Sequence, residues 1–368
     1  MSIEVRNLRK SFGNSAAVAG IDLDVPEGEM LVLLGPSGCG KTTTMRCIAG
    51  LETPDRGKIS IDGRTVFDNQ ERINIPVNRR HVGMVFQSYA IWPHMTVFEN
   101  VAFSLEMEGL GRSAIRTRVD KILELVGLEG FEERGASYLS GGQMQRVALA
   151  RSLVMRPSVL LFDEPLSNLD ARLRDHLRVQ LREIQTQLKI TSIYVTHDQR
   201  EALALADQIM MMQEGEVLQM GDPVSLYNGP KTSEIAEFLG YSNIFEVNVV
   251  GERDGLCQLA FCEHARNLDA AFINRNGDRD LTACVRPDDV SIKPLPVTAG
   301  GDESSGVNAI AGEVILASFM GSHMQYRVRA GEHEIWEILC PEVNTEIRLG
   351  SNVLLEIDPA KIHVLPKQ

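Results

Sequence analysis

The chain has 368 residues, too long for one typical domain of about 150 residues, so two domains are expected, each able to bury a core. Its net charge of -13 opposes a nucleic-acid partner, which would call for a basic patch. No run approaches the roughly 18 apolar residues of a membrane-crossing helix, and the six cysteines lack zinc or disulfide spacing in a chain without a secretory leader, which fits a reducing cytosol.

Near the N-terminus stands Phe12, an aromatic whose default role is core packing. The apolar run Met30 to Leu34 reads as a strand. Gly35, Pro36, Ser37, Gly38, Cys39, Gly40, Lys41 and Thr42 follow it and lead into a helical pattern from Thr43, the context a Walker A loop requires. Four specified positions of that pattern match by chance in roughly one chain of this length in a hundred, so the loop alone is only suggestive.

A second strand, His81 to Phe86, ends at Gln87. Beyond it Tyr89 to Met95 carries Trp92, one of two tryptophans in the chain, whose bland role is packing. Val119, Ile122, Leu123, Leu125 and Val126 fall at helical spacing and Gly127 is a plausible stop. Then comes Leu139, Ser140, Gly141, Gly142, Gln143, where Ser140 and Gln143 also form a capping box for a helix through Val147 and Leu153. The strand Val159 to Phe162 ends in Asp163 and Glu164, Ser167 to Asp170 follow, and the strand Ser192 to Thr196 ends at His197. This second set of fixed residues, in order, excludes coincidence.

The alternation of strand and helix predicts a parallel sheet with crossover helices over residues 1–238, with a helical subdomain at about 88–157. Residues 239–368 turn to short β-rich runs: Phe245 to Val250, Ala283 to Val285, Gly312 to Ala317, Gln325 to Val328, Ile335 to Leu339 and Val353 to Ile357. The polar stretch Thr298 to Asn308 is expected to be a surface loop. Cys257, Cys262 and His264 match no usual metal spacing and sit in a strand-like stretch.

From Phe12 to His197 the motifs stand in the order found in the ATP-binding subunit of ABC transporters, which the chain resembles over roughly residues 1 to 240. Val285, Arg286, Pro287, Asp288, Asp289 and Val290 resemble a segment of the C-terminal OB-like regulatory domain of maltose-type importer ATPases. The resemblance implies an α/β P-loop ABC ATPase domain with a helical subdomain, followed by a β-rich OB-like domain.

Roles follow from it. Backbone N–H groups of residues 37–42 would surround the β- and γ-phosphates of ATP, with Lys41 adding full charge and the helix its positive end. Thr42, Asp163 and Gln87 would hold Mg2+. Side-chain alternation along the strand would turn Asp163 toward the metal and Glu164 toward an attacking water, making Glu164 the catalytic carboxylate. His197 would contact the γ-phosphate and, with Gln87, complete the catalytic set. Phe12 would stack on adenine with Val18 beneath the base. Cys39 is a place where alkylation should block hydrolysis, with ATP protecting it.

Ser140, Gly141, Gly142, Gln143 and Asp170 would reach the ATP held by a second copy of the chain. A helix-end dipole gives at most about 2 kcal/mol, against roughly 8 kcal/mol for micromolar association, so two such contacts cannot hold a homodimer without the nucleotides. Closure should therefore depend on ATP.

The resemblance further implies two separate transmembrane permease subunits, a periplasmic or extracellular solute-binding protein and a peripheral position on the cytoplasmic face of the membrane. Tyr89 to Met95 would help line a groove for a short helix of the permease. Phe86 to Thr96 looks like the branch handling ferric ion, polyamines and phosphonates, with sugar importers close. Two rivals stay open: a soluble ABC-type ATPase of translation or DNA repair, and a regulatory ATP sensor.

Overall fold

Five residues that all avoid water, Met30–Leu34, form the centre of the first sheet; such a continuous apolar run marks a strand covered on both faces. A computed structural model describes residues 2–253, 255–261, 268–273, 280–295, 308–331, 334–344 and 346–367. The chain divides into two units, Met1–Asn228 and Gly229–Gln368.

The first unit runs β1 (Ile3–Phe12), β2 (Ser15–Val25), β3 (Met30–Leu34), α1 (Lys41–Ala49), β4 (Arg56–Ile61), β5 (Arg64–Asp68), β6 (Ile73–Asn74), β7 (Val82–Val85), α2 (Val97–Met107), α3 (Arg112–Leu125), α4 (Gly141–Val154), β8 (Val159–Asp163), α5 (Ala171–Leu188), β9 (Thr191–Thr196), α6 (Gln199–Leu205), β10 (Gln208–Gln213), β11 (Glu216–Gly221) and α7 (Pro223–Asn228). One sheet has the order β11-β10-β3-β9-β8-β7. All neighbours in it are parallel except β11, which returns antiparallel to β10.

The other sheet, β2-β1-β4-β5-β6, is antiparallel and has no counterpart in the sequence reading. Side chains from both sheets and from α1 share one core, including Ile3, Val5, Leu8, Leu31, Leu33, Ile48 and Val195. Helix α5 buries Leu177, Leu181 and Ile184 at i, i+4, i+7, the stripe expected of a helix laid on a sheet.

The second unit contains α8 (Ser233–Phe238), β12 (Asn243–Arg253), β13 (Leu256–Phe261), β14 (Leu268–Ala270), β15 (Phe272–Ile273), β16 (Leu281–Val285), β17 (Val290–Pro294), β18 (Ala309–Phe319), β19 (Met324–Ala330), β20 (Glu334–Cys340), β21 (Asn352–Ile357) and β22 (His363–Pro366). Its sheets have the orders β14-β13-β12-β16-β22-β15 and β17-β21-β18-β19-β20. A shared core holds Trp336 at 0 % exposure, with Phe245 4.5 Å from its ring. Helix α8 belongs to this unit, whereas the expected boundary at 238 places it in the first. Cys262, His264 and residues 298–307 lie outside the described residues.

Each β-rich run expected after residue 240 coincides with a strand here. The segment at 285–290 leaves β16, makes a single 3-10 turn at Pro287–Asp289 and enters β17. Arg286 lies over the Tyr241 ring at 4.2 Å, and Lys361 pairs with Asp289 at 2.9 Å.

Candidate active site

The loop 35–40 starts where β3 ends and delivers α1 with Gly40 as its N-cap in a left-handed conformation, φ 103°. A Cβ on Gly40 would lie 2.2 Å from the Ala17 carbonyl oxygen, so no larger residue fits between loop and β2. The turn after β10 fixes the loop from the other side: Gly215 N–H donates to Cys39 O at 3.0 Å, and Ala19 N–H donates to Gly215 O at 2.9 Å. The first N–H groups of α1 thus open at the carboxyl end of a central parallel strand, where α/β sheets bind ligands and helix ends favour anions.

Lys41 is 4 % exposed, and its ammonium lies over the loop, donating to Gly35 O and Pro36 O, each at 2.8 Å. Cys39 is 3 % exposed and belongs to the core. A reagent therefore reaches its thiol only after the loop opens, and ready alkylation is not what this geometry supports.

Thr42 Oγ1 donates to Asp163 Oδ1 at 3.0 Å, which brings the first residues of α1 to the end of β8. A hydroxyl and a carboxylate side by side are the hard oxygen ligands that suit Mg2+. Arg46, one turn further along α1, approaches Asp163 Oδ2 at 3.6 Å, a partner the sequence reading missed. The Gln87 side chain is held by Ser167, its Nε2 donating to Ser167 Oγ at 3.2 Å, and its backbone carbonyl accepts from Asn168 Nδ2 at 2.9 Å.

Strand alternation is not what separates the two carboxylates. β8 ends at Asp163, and Glu164 takes a left-handed φ of 44°, so a sharp turn rather than the pleat redirects its side chain. Its N–H donates to Val195 O at 3.1 Å on neighbouring β9, and its Oε2 lies 3.3 Å from His197 Nδ1. The end of β9 is anchored in turn by Glu201, whose Oε2 accepts from Thr196 Oγ1 at 2.8 Å and from Tyr194 Oη at 2.9 Å. Burial pushes the Glu201 carboxyl above its ordinary value despite those two donors.

Ser140 caps α4 as anticipated: its Oγ accepts from Gln143 N–H at 3.4 Å, and Gln143 Oε1 accepts from Ser140 N–H at 3.0 Å. Gly142 is where α4 meets α5, since a Cβ there would lie 2.9 Å from the Leu173 side chain. Asp170 caps α5, accepting from Leu173 N–H at 3.0 Å. Phe12 projects from the end of β1 at 50 % exposure, with Lys10 Nζ 5.1 Å from its ring centre. Val18, at 1 % exposure, is core. The face available to a flat ring is that of Phe12.

A groove of about 290 Å3 lies beside this centre, lined among others by Leu51, Phe86, Tyr89, Trp92, Phe103 and Arg151. Trp92 packs on Phe103 with ring centres 4.5 Å apart and planes tilted by 49°, and the Arg151 guanidinium from α4 covers Trp92 at 4.2 Å while donating to Ala90 O. Tyr89 and Ala90 both have positive φ, 61° and 49°, so the segment after Gln87 leaves β7 through two consecutive left-handed residues.

The family model "ABC transporter" matches residues 18–167, and "TOBE domain" matches 283–365. An Fe(3+) ions import ATP-binding protein of Rhizobium etli is 44 % identical over 89 % of this chain and 87 % of its own length. A Spermidine/putrescine import ATP-binding protein of Mesoplasma florum is 38 % identical over 100 % of this chain and 98 % of its own. The solved structure of cbiO1 from Clostridium perfringens, described as part of an ABC transporter complex, superposes with a TM-score of 0.56 at 30 % identity over 64 % of this chain and 92 % of that one.

The fold and the loop-centred site define an ATP-binding, ATP-hydrolysing protein. The chain belongs to the ATP-binding subunits of ABC importers, in the branch that carries a C-terminal OB-like TOBE domain.

Proposed function

We propose that two copies of this chain form a homodimer that drives uptake of ferric ion through separate permease subunits at the cytoplasmic face of the membrane. The observation that carries the motor reading is the convergence of the Thr42–Asp163 and Glu164–His197 pairs beside one phosphate loop. Ferric ion is favoured by import relatives of 40 to 44 % identity that are named for it. A polyamine is the second reading, resting on the 38 % relative.

Thr42 and Asp163 would hold Mg2+, which when bound would supply positive charge beside the phosphates. The chain's own residues do the rest. N–H groups of 37–42 and Lys41 bind the phosphates, Phe12 holds the base, Glu164 accepts the proton of the attacking water and His197 keeps Glu164 aimed. The capped end of α4 in one copy, with Ser140 at its head, would close on the nucleotide bound by the other. The apolar groove around Trp92 would receive a short amphipathic helix of a permease, supplying an apolar stripe to Phe103 and Leu51. A solute-binding protein outside the membrane would deliver the cargo.

Deleting the gene and following labelled ferric ion and labelled spermidine into cells tests the cargo. Loss of iron uptake alone supports the ferric reading, and loss of spermidine uptake alone replaces it. A Glu164→Gln protein that stays monomeric on a sizing column with ATP would sink the dimer.

A further inference from the structure

Ser167 sits between two groups that the reaction uses, and neither sequence order nor the motif it belongs to says so. Its Oγ donates to the carbonyl of Glu164 at 2.9 Å and accepts from Gln87 Nε2 at 3.2 Å. Its own N–H also donates to Glu164 O at 3.2 Å. Next to it, Asn168 Nδ2 holds the Gln87 carbonyl at 2.9 Å.

A hydroxyl has one proton to give, so donating it to Glu164 leaves only lone pairs toward Gln87, which the amide N–H2 fills. The two bonds are therefore linked through one rotor: turning Gln87 away removes what orients the hydroxyl.

The consequence falls on Glu164. A non-glycine residue at φ 44° lies in a sparsely populated, strained region and persists only where the surroundings over-determine it. Here the surroundings are four: the Val195 carbonyl on its N–H, Ser167 N–H and Oγ–H on its carbonyl, and His197 on its carboxylate. Only the Ser167 hydroxyl also touches Gln87.

We propose that Ser167 is a positioning residue that passes the direction of the Gln87 side chain to the turn carrying Glu164, within one copy of the chain. The inference rests on the proposed role of Glu164 in hydrolysis and on the place of Gln87 in the catalytic set that the family resemblance implies.

Steady-state ATPase of the purified full chain tests it, with ATP binding and melting temperature measured alongside. Ser167→Ala should lower kcat about ten-fold while KM for ATP stays within about two-fold, and Ser167→Thr, which restores the hydroxyl, should recover most of the loss. Combined with Gln87→Ala, the Ser167→Ala effect should shrink, because the linkage is already broken. Should the alanine variant prove unstable, Ser167→Cys keeps the volume with a weak donor and is expected to show the same split.

Unchanged kcat in Ser167→Ala, a threonine variant as slow as the alanine one, or fully multiplicative effects with Gln87→Ala would each overturn the proposal. Glu164→Gln separates the two levels. If it hydrolyses normally, the reading of Glu164 fails and this inference falls with it. If it is inactive while Ser167→Ala is normal, only the inference fails.

Discussion

Glu164 Oε2 and His197 Nδ1 are 3.3 Å apart, which joins the left-handed turn after β8 to the residue that follows β9. The two strands are hydrogen-bonded neighbours, with Asp163 opposite Val195, so the sheet itself sets the spacing of the pair. This is the carboxylate proposed to take a proton from the attacking water.

Glu164→Gln keeps the shape and removes the carboxylate proposed as the base. Hydrolysis should drop by about 100-fold or more, the usual range for a lost general base, while ATP binding is retained. Equilibrium nucleotide binding and single-turnover hydrolysis on the same preparation check both halves.

Phe12 offers an exposed ring and Val18 does not. Phe12→Ala should weaken ATP by about 1–3 kcal/mol, the stacking range for a base on an aromatic, seen as raised KM with nearly constant kcat. Phe12→Tyr should stay close to the parent. A Val18→Ala change should instead appear in the melting curve, since it opens a core position.

Arg151 covers Trp92 and holds Ala90 O, so it fastens the groove wall to α4. Replacing it by methionine keeps bulk and loses charge. The expected cost is about 1–2 kcal/mol in unfolding, the range of a partly desolvated cation–π contact, and permease-stimulated hydrolysis should fall more than the basal rate. Equal loss of both rates would show that Arg151 only stabilises.

Arg182 donates to Asp207 Oδ2 at 3.0 Å, and Asp207 also accepts from Met30 N–H at 2.8 Å. Burial alone would raise the Asp207 carboxyl, but the Arg182 and Met30 bonds outweigh it and hold it below the usual carboxylate range. The folded value is depressed, so the stabilisation is complete above about pH 4, the unfolded value, and is lost as pH falls through the folded value. Arg182→Met should therefore cost about 1–3 kcal/mol at neutral pH and progressively less below pH 4. Urea unfolding at a series of pH values reads this out, and a cost that did not change with pH would exclude the ion pair as its source.

The phosphate loop, the strands beside it and the capped start of α4 were legible because each is written in neighbouring residues: a five-residue apolar run, a glycine spacing, a serine three before a glutamine. The antiparallel sheet was not. In β1 the buried positions are Ile3, Val5 and Leu8, and a register shift between Val5 and Leu8 breaks the two-residue alternation that marks a half-buried strand. Helix α4 buries nearly every position from Val147 to Val154, so it shows no apolar stripe, and only its cap announced it.

Sequence alone determined the chemistry on offer, a phosphate loop, two adjacent carboxylates, a histidine and a serine-headed helix, because motif order and residue type are local facts. Which of these groups meet was decided only in three dimensions. Parallel pairing of β8 with β9 brings Glu164 to His197, the positive φ at Glu164 rather than strand alternation aims its carboxylate, and the turn that follows claims Gln87 through Ser167. Long-range hydrogen bonding between segments far apart in the chain makes those choices, and no spacing within one segment encodes them.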